Sequence, residues 1–189
     1  MRFAVYEKDG RRGLAVEHGD RLNGLFAHEA GYPGDLETLI ANGADFVAVG
    51  QALAAGNFID LNSVRLLPPL SCPGKIVCIG LNYRAHSAEA GFELPTYPTV
   101  FARFTSSLTG HCDPIILPPQ SSQLDYEGEL VAIIGRRGHN ISAADALGHV
   151  AGYSIFNDAT LRDYQFRTPQ WTMGKNFDGT GALDRKSVV

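Results

Sequence analysis

The chain has 189 residues, 44% hydrophobic and 19% charged, a balance that belongs to an ordinary globular protein with a real core and excludes a disordered tail. Sixteen Lys and Arg against twenty Asp and Glu give a net charge of -4, so no global positive field is available to hold a phosphate backbone, and no nucleic-acid partner is expected. Cys72, Cys78 and Cys112 are odd in number and lack a C-x-x-C spacing, which indicates neither a disulfide framework nor a zinc knuckle and fits a reducing interior. Charges interrupt the N-terminus where a signal peptide would be apolar, and no uncharged run is long enough to span a bilayer; the expected location is the cytoplasm, away from membranes.

In chain order, Phe3-Ala4-Val5-Tyr6 and Leu14-Ala15-Val16-Glu17 flank a Lys8-Asp9-Gly10 turn and predict a hairpin. Between Asp35 and Gly56, apolar residues at Leu36, Leu39, Ile40, Phe46, Val49 and Leu53 predict one or two short helices, interrupted at Asn42-Gly43. The proline-dense run from Leu67 to Gly74 reads as a linker and a domain boundary. Beyond it, Lys75 to Gly80 reads as a buried strand, Asn82 to Glu89 as a short helix or lid-like loop, and further strands are expected at 99–104, 115–117, 125–134 and 149–156. Short strands punctuated by proline and glycine, with few long helices, predict an α+β, β-rich architecture of roll or barrel type.

The segment Asp125-Tyr126-Glu127-Gly128-Glu129-Leu130-Val131-Ala132-Ile133 places Asp125, Glu127, Glu129, Val131 and Ile133 on one strand face, which changes from acid to oil. Two carboxylates at i, i+2 lie about 6–7 Å apart by backbone rise and repel more strongly as the local dielectric falls. A hard cation such as Mg²⁺ or Mn²⁺ would compensate them; an edge strand charged against aggregation would carry the same residues. Asp158, at the end of Gly152-Tyr153-Ser154-Ile155-Phe156-Asn157-Asp158, reads either as the N-cap of a helix beginning at Ala159 or as a third oxygen ligand.

Gly174-Lys175 lacks the leading glycine and following hydroxyl of a phosphate loop, so Lys175 reads as a solvated lysine or as a buried cation that offsets the acids. His86 and Glu89 stand at i, i+3, where a carboxylate can orient an imidazole as general base for water; an exposed helical pair has the same spacing.

Taken together, Ile79-Gly80-Leu81-Asn82-Tyr83-Arg84-Ala85-His86-Ser87-Ala88-Glu89, Asp125-Tyr126-Glu127-Gly128-Glu129-Leu130, Gly152-Tyr153 with Asn157-Asp158, Arg162-Asp163-Tyr164-Gln165 and Gly174-Lys175-Asn176-Phe177-Asp178 resemble the motifs of the fumarylacetoacetate hydrolase family, over roughly residues 75–182. The resemblance implies a small N-terminal domain with its linker over residues 1–70, then the first part of a mixed β-sandwich roll over residues 71–183. It implies Mg²⁺ or Mn²⁺ on Glu127, Glu129 and Asp158, with Lys175 beside the metal and His86 and Glu89 activating water from a lid. Arg162, Gln165 and Arg103 would hold the substrate, a 2-oxo or 2,4-dioxo acid, and the full-length protein would be a homodimer. The activity expected from it is hydrolysis of a carbon-carbon bond in an acylpyruvate-like acid; decarboxylation or isomerisation of a 2-oxo dicarboxylate from aromatic catabolism is the alternative.

After Ala182 the sequence departs from the family pattern. Residues 184–189, Asp184-Arg185-Lys186-Ser187-Val188-Val189, match one reading frame of a common sequencing-library adapter, so the expectation is a C-terminally truncated chain with a non-native tail. From that comes a further alternative, a noncatalytic fragment or metal-binding module.

Overall fold

The computed structural model describes residues 1–83, 95–184 and 187–188. The segment expected to carry His86 and Glu89 lies outside the described residues. Strands β1 (Arg2–Lys8) and β2 (Arg11–His18) form the expected hairpin. Asp9 and Gly10 both take positive φ, 50° and 73°, the turn handedness that matches the right-handed twist of the flanking strands. Both faces of this hairpin are covered. Phe3, Val5, Leu14 and Val16 pack with Leu36, Ile40, Val49 and Leu53, while Ala4, Tyr6 and Ala15 pack with Leu22, Ile59 and Leu66 on the other side.

The helices are α1 (Leu36–Ala41) and α2 (Phe46–Ala54), separated at Asn42-Gly43 as the sequence predicts. Asp45 caps α2, its Oδ1 accepting from the backbone N–H of Val47 at 2.9 Å and of Ala48 at 3.3 Å. Strand β3 (Arg21–Phe26) has no counterpart in the sequence reading. Its interior Asn23-Gly24 depresses strand propensity, yet Gly24 is needed there, because a Cβ would fall 2.4 Å from the Leu14 carbonyl oxygen. Two short strands, β4 (Asn57–Phe58) and β5 (Arg65–Leu67), complete this part.

Past the proline-dense segment come β6 (Ile76–Gly80), β7 (Thr99–Arg103), β8 (Leu108–Thr109), β9 (Leu124–Asp125), β10 (Gly128–Ile134), β11 (Val150–Asp158) and β12 (Thr160–Leu161). Two short helices follow, α3 (Arg162–Gln165) and α4 (Thr172–Lys175), then β13 (Gly181–Leu183) and β14 (Ser187–Val188). Among the described residues ten strands share one sheet, in the order β4-β3-β2-β1-β14-β11-β13-β8, with β5 also on β1 and β10 also on β11. The pairs β6–β7 and β9–β12 stand apart from it. The architecture is therefore the expected strand-dominated α+β fold. No helix among the described residues is long and apolar enough to cross a membrane.

Three local expectations are corrected. Residues 115–117 form no strand; Pro114, Pro118 and Pro119 bracket them and withhold ladder donors. The strand expected over 125–134 is two strands with different partners, β9 on β12 and β10 on β11. At the break, the Glu127 N–H donates to the Asn157 side chain at 3.1 Å instead of a ladder carbonyl. Finally, Asp158 caps no helix: β12 intervenes, and Leu161 occupies the N-cap position of α3.

The main core reaches across the proline-dense segment. Ile133 of β10 is buried among Phe3, Leu14, Leu36, Ile40 and Leu53, with Val131 and Ala151 packed against the same cluster.

Candidate metal centre

The β10–β11 ladder sets two acids side by side. Gly128 pairs with Asn157 and Glu129 with Phe156, and the Asp158 N–H donates to the Glu127 carbonyl at 2.8 Å. Along β10, alternation keeps Glu129 and Val131 half-buried and Ile133 buried, with exposed residues between. The acid-to-oil face expected from the sequence thus forms from Glu127 onward. Asp125 leaves it at the strand break and is exposed. Carboxylate oxygens of Glu127, Glu129 and Asp158 all lie within 4.8 Å of one another.

Cations converge on two of these three acids. Lys175, 1% exposed, donates from Nζ to Asp158 Oδ2 at 2.6 Å and to Glu127 Oε2 at 2.9 Å, with the Phe101 ring 5.0 Å from the ammonium. Of the two roles open to Lys175 in the sequence, the structure selects the buried one. Arg103, at the end of β7 and 2% exposed, binds Asp158 Oδ1 through Nη1. Arg162 donates through Nη1 to Glu127 Oε1 at 2.5 Å and to Gln165 Oε1 at 2.9 Å, while its Nε and Nη2 hold Asp125 Oδ2 at 3.0 and 2.8 Å. Burial pushes the Glu127 carboxyl up, but Lys175 and Arg162 outweigh it and hold the group below its ordinary range.

Glu129 is different. Among the described residues no hydrogen bond or ion pair holds its carboxylate. Burial first, and then the Asp158 charge, push it up to about 7, with Lys175 pulling the other way. Glu129 also faces a cavity of about 910 Å³ between β6 and β10, whose walls include Cys78, Asn82, Tyr83, Phe156 and Leu183. A carboxylate repelled by two neighbours and open to a cavity is where added positive charge is most favourable.

The donor set fits a hard divalent cation. All three candidate ligands are carboxylates. The Cys78 thiol, pushed up to about 12 by burial and then by Asp158 and Glu129, stays neutral and offers no soft thiolate. Oxygen-only coordination with room for water and substrate suits Mg²⁺ or Mn²⁺.

Several residues of the site carried no signal in the sequence. Ser107 and Thr180 hold Arg103 at 3.2 and 2.8 Å. Thr160 Oγ1 donates to Glu127 Oε1 at 3.3 Å. Asn176 ties α4 to β7, accepting from Phe104 N at 2.6 Å and donating to the Ala102 carbonyl at 3.0 Å. Isolated hydroxyls and amides have no periodicity to betray them; Asn176 alone could have been found, from its place beside Lys175 in a recognised motif.

Residues 75–184 match the family described as fumarylacetoacetate (FAA) hydrolase C-terminal. The human mitochondrial oxaloacetate tautomerase FAHD2A is 35% identical over 170 residues, which are 88% of this chain and 54% of that protein. The chain thus spans about half the length of the curated relatives it matches. Among solved structures, the fumarylacetoacetate hydrolase from psychrophilic Exiguobacterium antarcticum is 31% identical, with a TM-score of 0.79 over 100% of this chain and 66% of that one. The 5-carboxymethyl-2-hydroxymuconate delta-isomerase from Mycobacterium smegmatis is 27% identical, with a TM-score of 0.72 and the same coverage of 100% and 66%.

Proposed function

The chain belongs to the fumarylacetoacetate hydrolase family, and from that premise we propose that it serves metal-dependent hydrolysis of a carbon-carbon bond in a 2,4-dioxo acid. The supporting observation is the meeting of Glu127, Glu129 and Asp158 within 4.8 Å with the Lys175 ammonium lodged on two of them. The three carboxylates would hold Mg²⁺ or Mn²⁺. That ion would supply a Lewis acid and a template for the carboxylate and 2-oxo group of the substrate.

The remaining steps fall to the side chains. His86, with Glu89 orienting it, would take a proton from water as the oxygen adds to the distal carbonyl carbon. The bond between that carbon and the 2-oxo-acid fragment then breaks, giving a carboxylic acid and a fragment with developing negative charge. Lys175 Nζ, buried and preset, would stabilise that charge more in the transition state than in the ground state. A proton returned to the fragment's carbon completes the balance, water having been consumed.

A second reading is proton transfer alone, moving a 2-oxo acid between keto and enol forms or shifting a double bond. Lys175 favours it as well, since an ammonium between carboxylates is placed to stabilise an enolate, and relatives named above are a tautomerase and an isomerase. The test is a product analysis with acetylpyruvate and with oxaloacetate, with Mn²⁺ and after chelation. Mn²⁺-dependent release of pyruvate and acetate in equal amounts supports hydrolysis. Accelerated keto-enol exchange of oxaloacetate without bond cleavage supports the second reading. Mn²⁺ binding with neither reaction leaves a metal-binding module.

A further inference from the structure

Lys175 and Arg103 hold the two oxygens of Asp158 from different elements, α4 and β7. Asn176, the residue after Lys175, joins those elements at the two residues that flank Arg103. Its Oδ1 accepts from the Phe104 N–H at 2.6 Å and its Nδ2 donates to the Ala102 carbonyl at 3.0 Å. Ala102 and Phe104 are two apart and present their backbone groups on the same edge of β7, so the amide fills that edge as a neighbouring strand's peptide group would. The second Nδ2 proton goes to the Thr172 carbonyl at 2.9 Å and ties the same amide back to the start of α4. Both N–H bonds and the oxygen are thus committed, and the orientation is fixed: turned over, the amide would set its oxygen against two carbonyls. Strand β7 also supplies Phe101, whose ring lies 5.0 Å from Lys175 Nζ and meets the ring of Trp171, at the N-cap of α4, edge-on at 5.7 Å.

We propose that Asn176 is a positioning residue for Lys175: clipped to β7 on either side of Arg103, it holds α4 where the buried ammonium meets both Glu127 and Asp158. The proposal rests on the site reading above, in which that ammonium acts on the developing charge of the substrate. A lysine is a point donor on a flexible four-carbon stem, so its two ion pairs do not by themselves fix where its backbone stands. Helix α4 is a single turn with no side-chain cap, too short to hold itself in place. Gly174 sets how closely α4 approaches α3; Asn176 sets its register along β7. Aspartate at 176 would have no N–H for the two carbonyls, and serine, with one hydroxyl proton, could donate to only one of them.

The experiment is trace acetylation of the 189-residue chain with acetic anhydride, read lysine by lysine by mass spectrometry, with thermal melts to show that each variant is folded. Lys8 and Lys75 are exposed and serve as internal references for Lys175, which is 1% exposed. Asn176→Leu keeps the size of the side chain and removes every hydrogen bond, and the Lys175 rate relative to the references should rise about tenfold, as local opening does when several net-favourable hydrogen bonds are lost. Asn176→Ser is the milder variant and should move the ratio in the same direction by less. Ile59→Val, a truncation in the second core cluster, controls for general loosening and should leave the ratio at the parent's. Parent-like protection of Lys175 in folded Asn176→Leu or Asn176→Ser overturns the proposal. So does an equal rise in Ile59→Val, which would make Asn176 one stabilising residue among many. A parent chain whose Lys175 reacts as fast as Lys8 takes down the site reading itself, a failure distinct from the other two.

Discussion

Lys175 Nζ sits 2.6 Å from Asp158 Oδ2, and neither side chain reaches solvent. Replacing Lys175 with methionine would leave a buried carboxylate with Arg103 as its remaining cationic partner. Losing one partner of a buried pair costs about 3 kcal/mol at the lower end of the usual range, and Arg103 keeps this case at that end. Chemical denaturation of Lys175→Met should show a lower midpoint with an unchanged slope. A variant as stable as the parent would mean that this contact contributes nothing net.

Glu127→Ala removes a candidate ligand and leaves Lys175 with Asp158 and Arg162 with Asp125 as their remaining acidic partners, so Mn²⁺ binding and any Mn²⁺-dependent turnover should vanish together. His86→Ala should separate them, with Mn²⁺ binding kept and hydrolysis falling by about 10²- to 10⁴-fold, the usual contribution of a general base. Normal hydrolysis by either variant removes the role assigned to that residue.

Glu129 gives the pH dependence. Its folded value is raised to about 7 by burial and by the Asp158 charge, so the folded chain retains a proton there that the unfolded chain has already released. Its stabilising contribution is fully present below the ordinary carboxylate range and is lost as pH rises through about 7. Cation binding needs the carboxylate ionised, so Mn²⁺ affinity should weaken as pH falls below 7. Calorimetry at pH 6 in buffers of different ionisation enthalpy should show a proton released on Mn²⁺ binding, and Glu129→Gln should release none. Equal proton release by that variant would place the titrating group elsewhere.

Gly174 controls where Lys175 stands. A Cβ at this position would lie 2.6 Å from the backbone nitrogen of Gln165, so α4 can rest against α3 only with glycine there. Gly174→Ala should push α4 outward and draw Lys175 off Glu127 and Asp158, at a stability cost of about 1–3 kcal/mol, as for other overpacked contacts. Lost Mn²⁺ affinity alongside that cost is the expected result. A variant that loses stability but binds Mn²⁺ normally would show that the helix contact does not position the site.

The parts of this fold that were legible in the sequence are those governed by local periodicity. The Asp9-Gly10 turn and the helix break at Asn42-Gly43 follow from turn-forming residue types next to each other in the chain, and the inward face of Glu129, Val131 and Ile133 follows from spacing two residues apart. What the sequence did not disclose depends on partners far along the chain. Arg103 and Thr180 are 77 residues apart, and nothing near either one announces the other. The same holds for Asp125, which alternation places beside Glu127 and which Arg162 draws onto a different strand pair. Asp158 shows the limit from the other side: its sequence position suits a helix cap as well as an oxygen ligand, and only the intervening strand β12 and the converging cations exclude the cap.

The seat of Ile133 among Phe3, Leu14, Leu36 and Leu53 bears on how such chains can be shuffled. A chimera joined at the proline-dense segment, taking its first part from one relative and the rest from another, would bring together two surfaces that had never adapted to each other. The side chain at 133, with Val131 and Ala151 around it, would have to travel with the donor of the first part. Successful exchanges should therefore carry those three positions along, although about sixty residues or more separate them from the junction at Leu67–Gly74 along the chain.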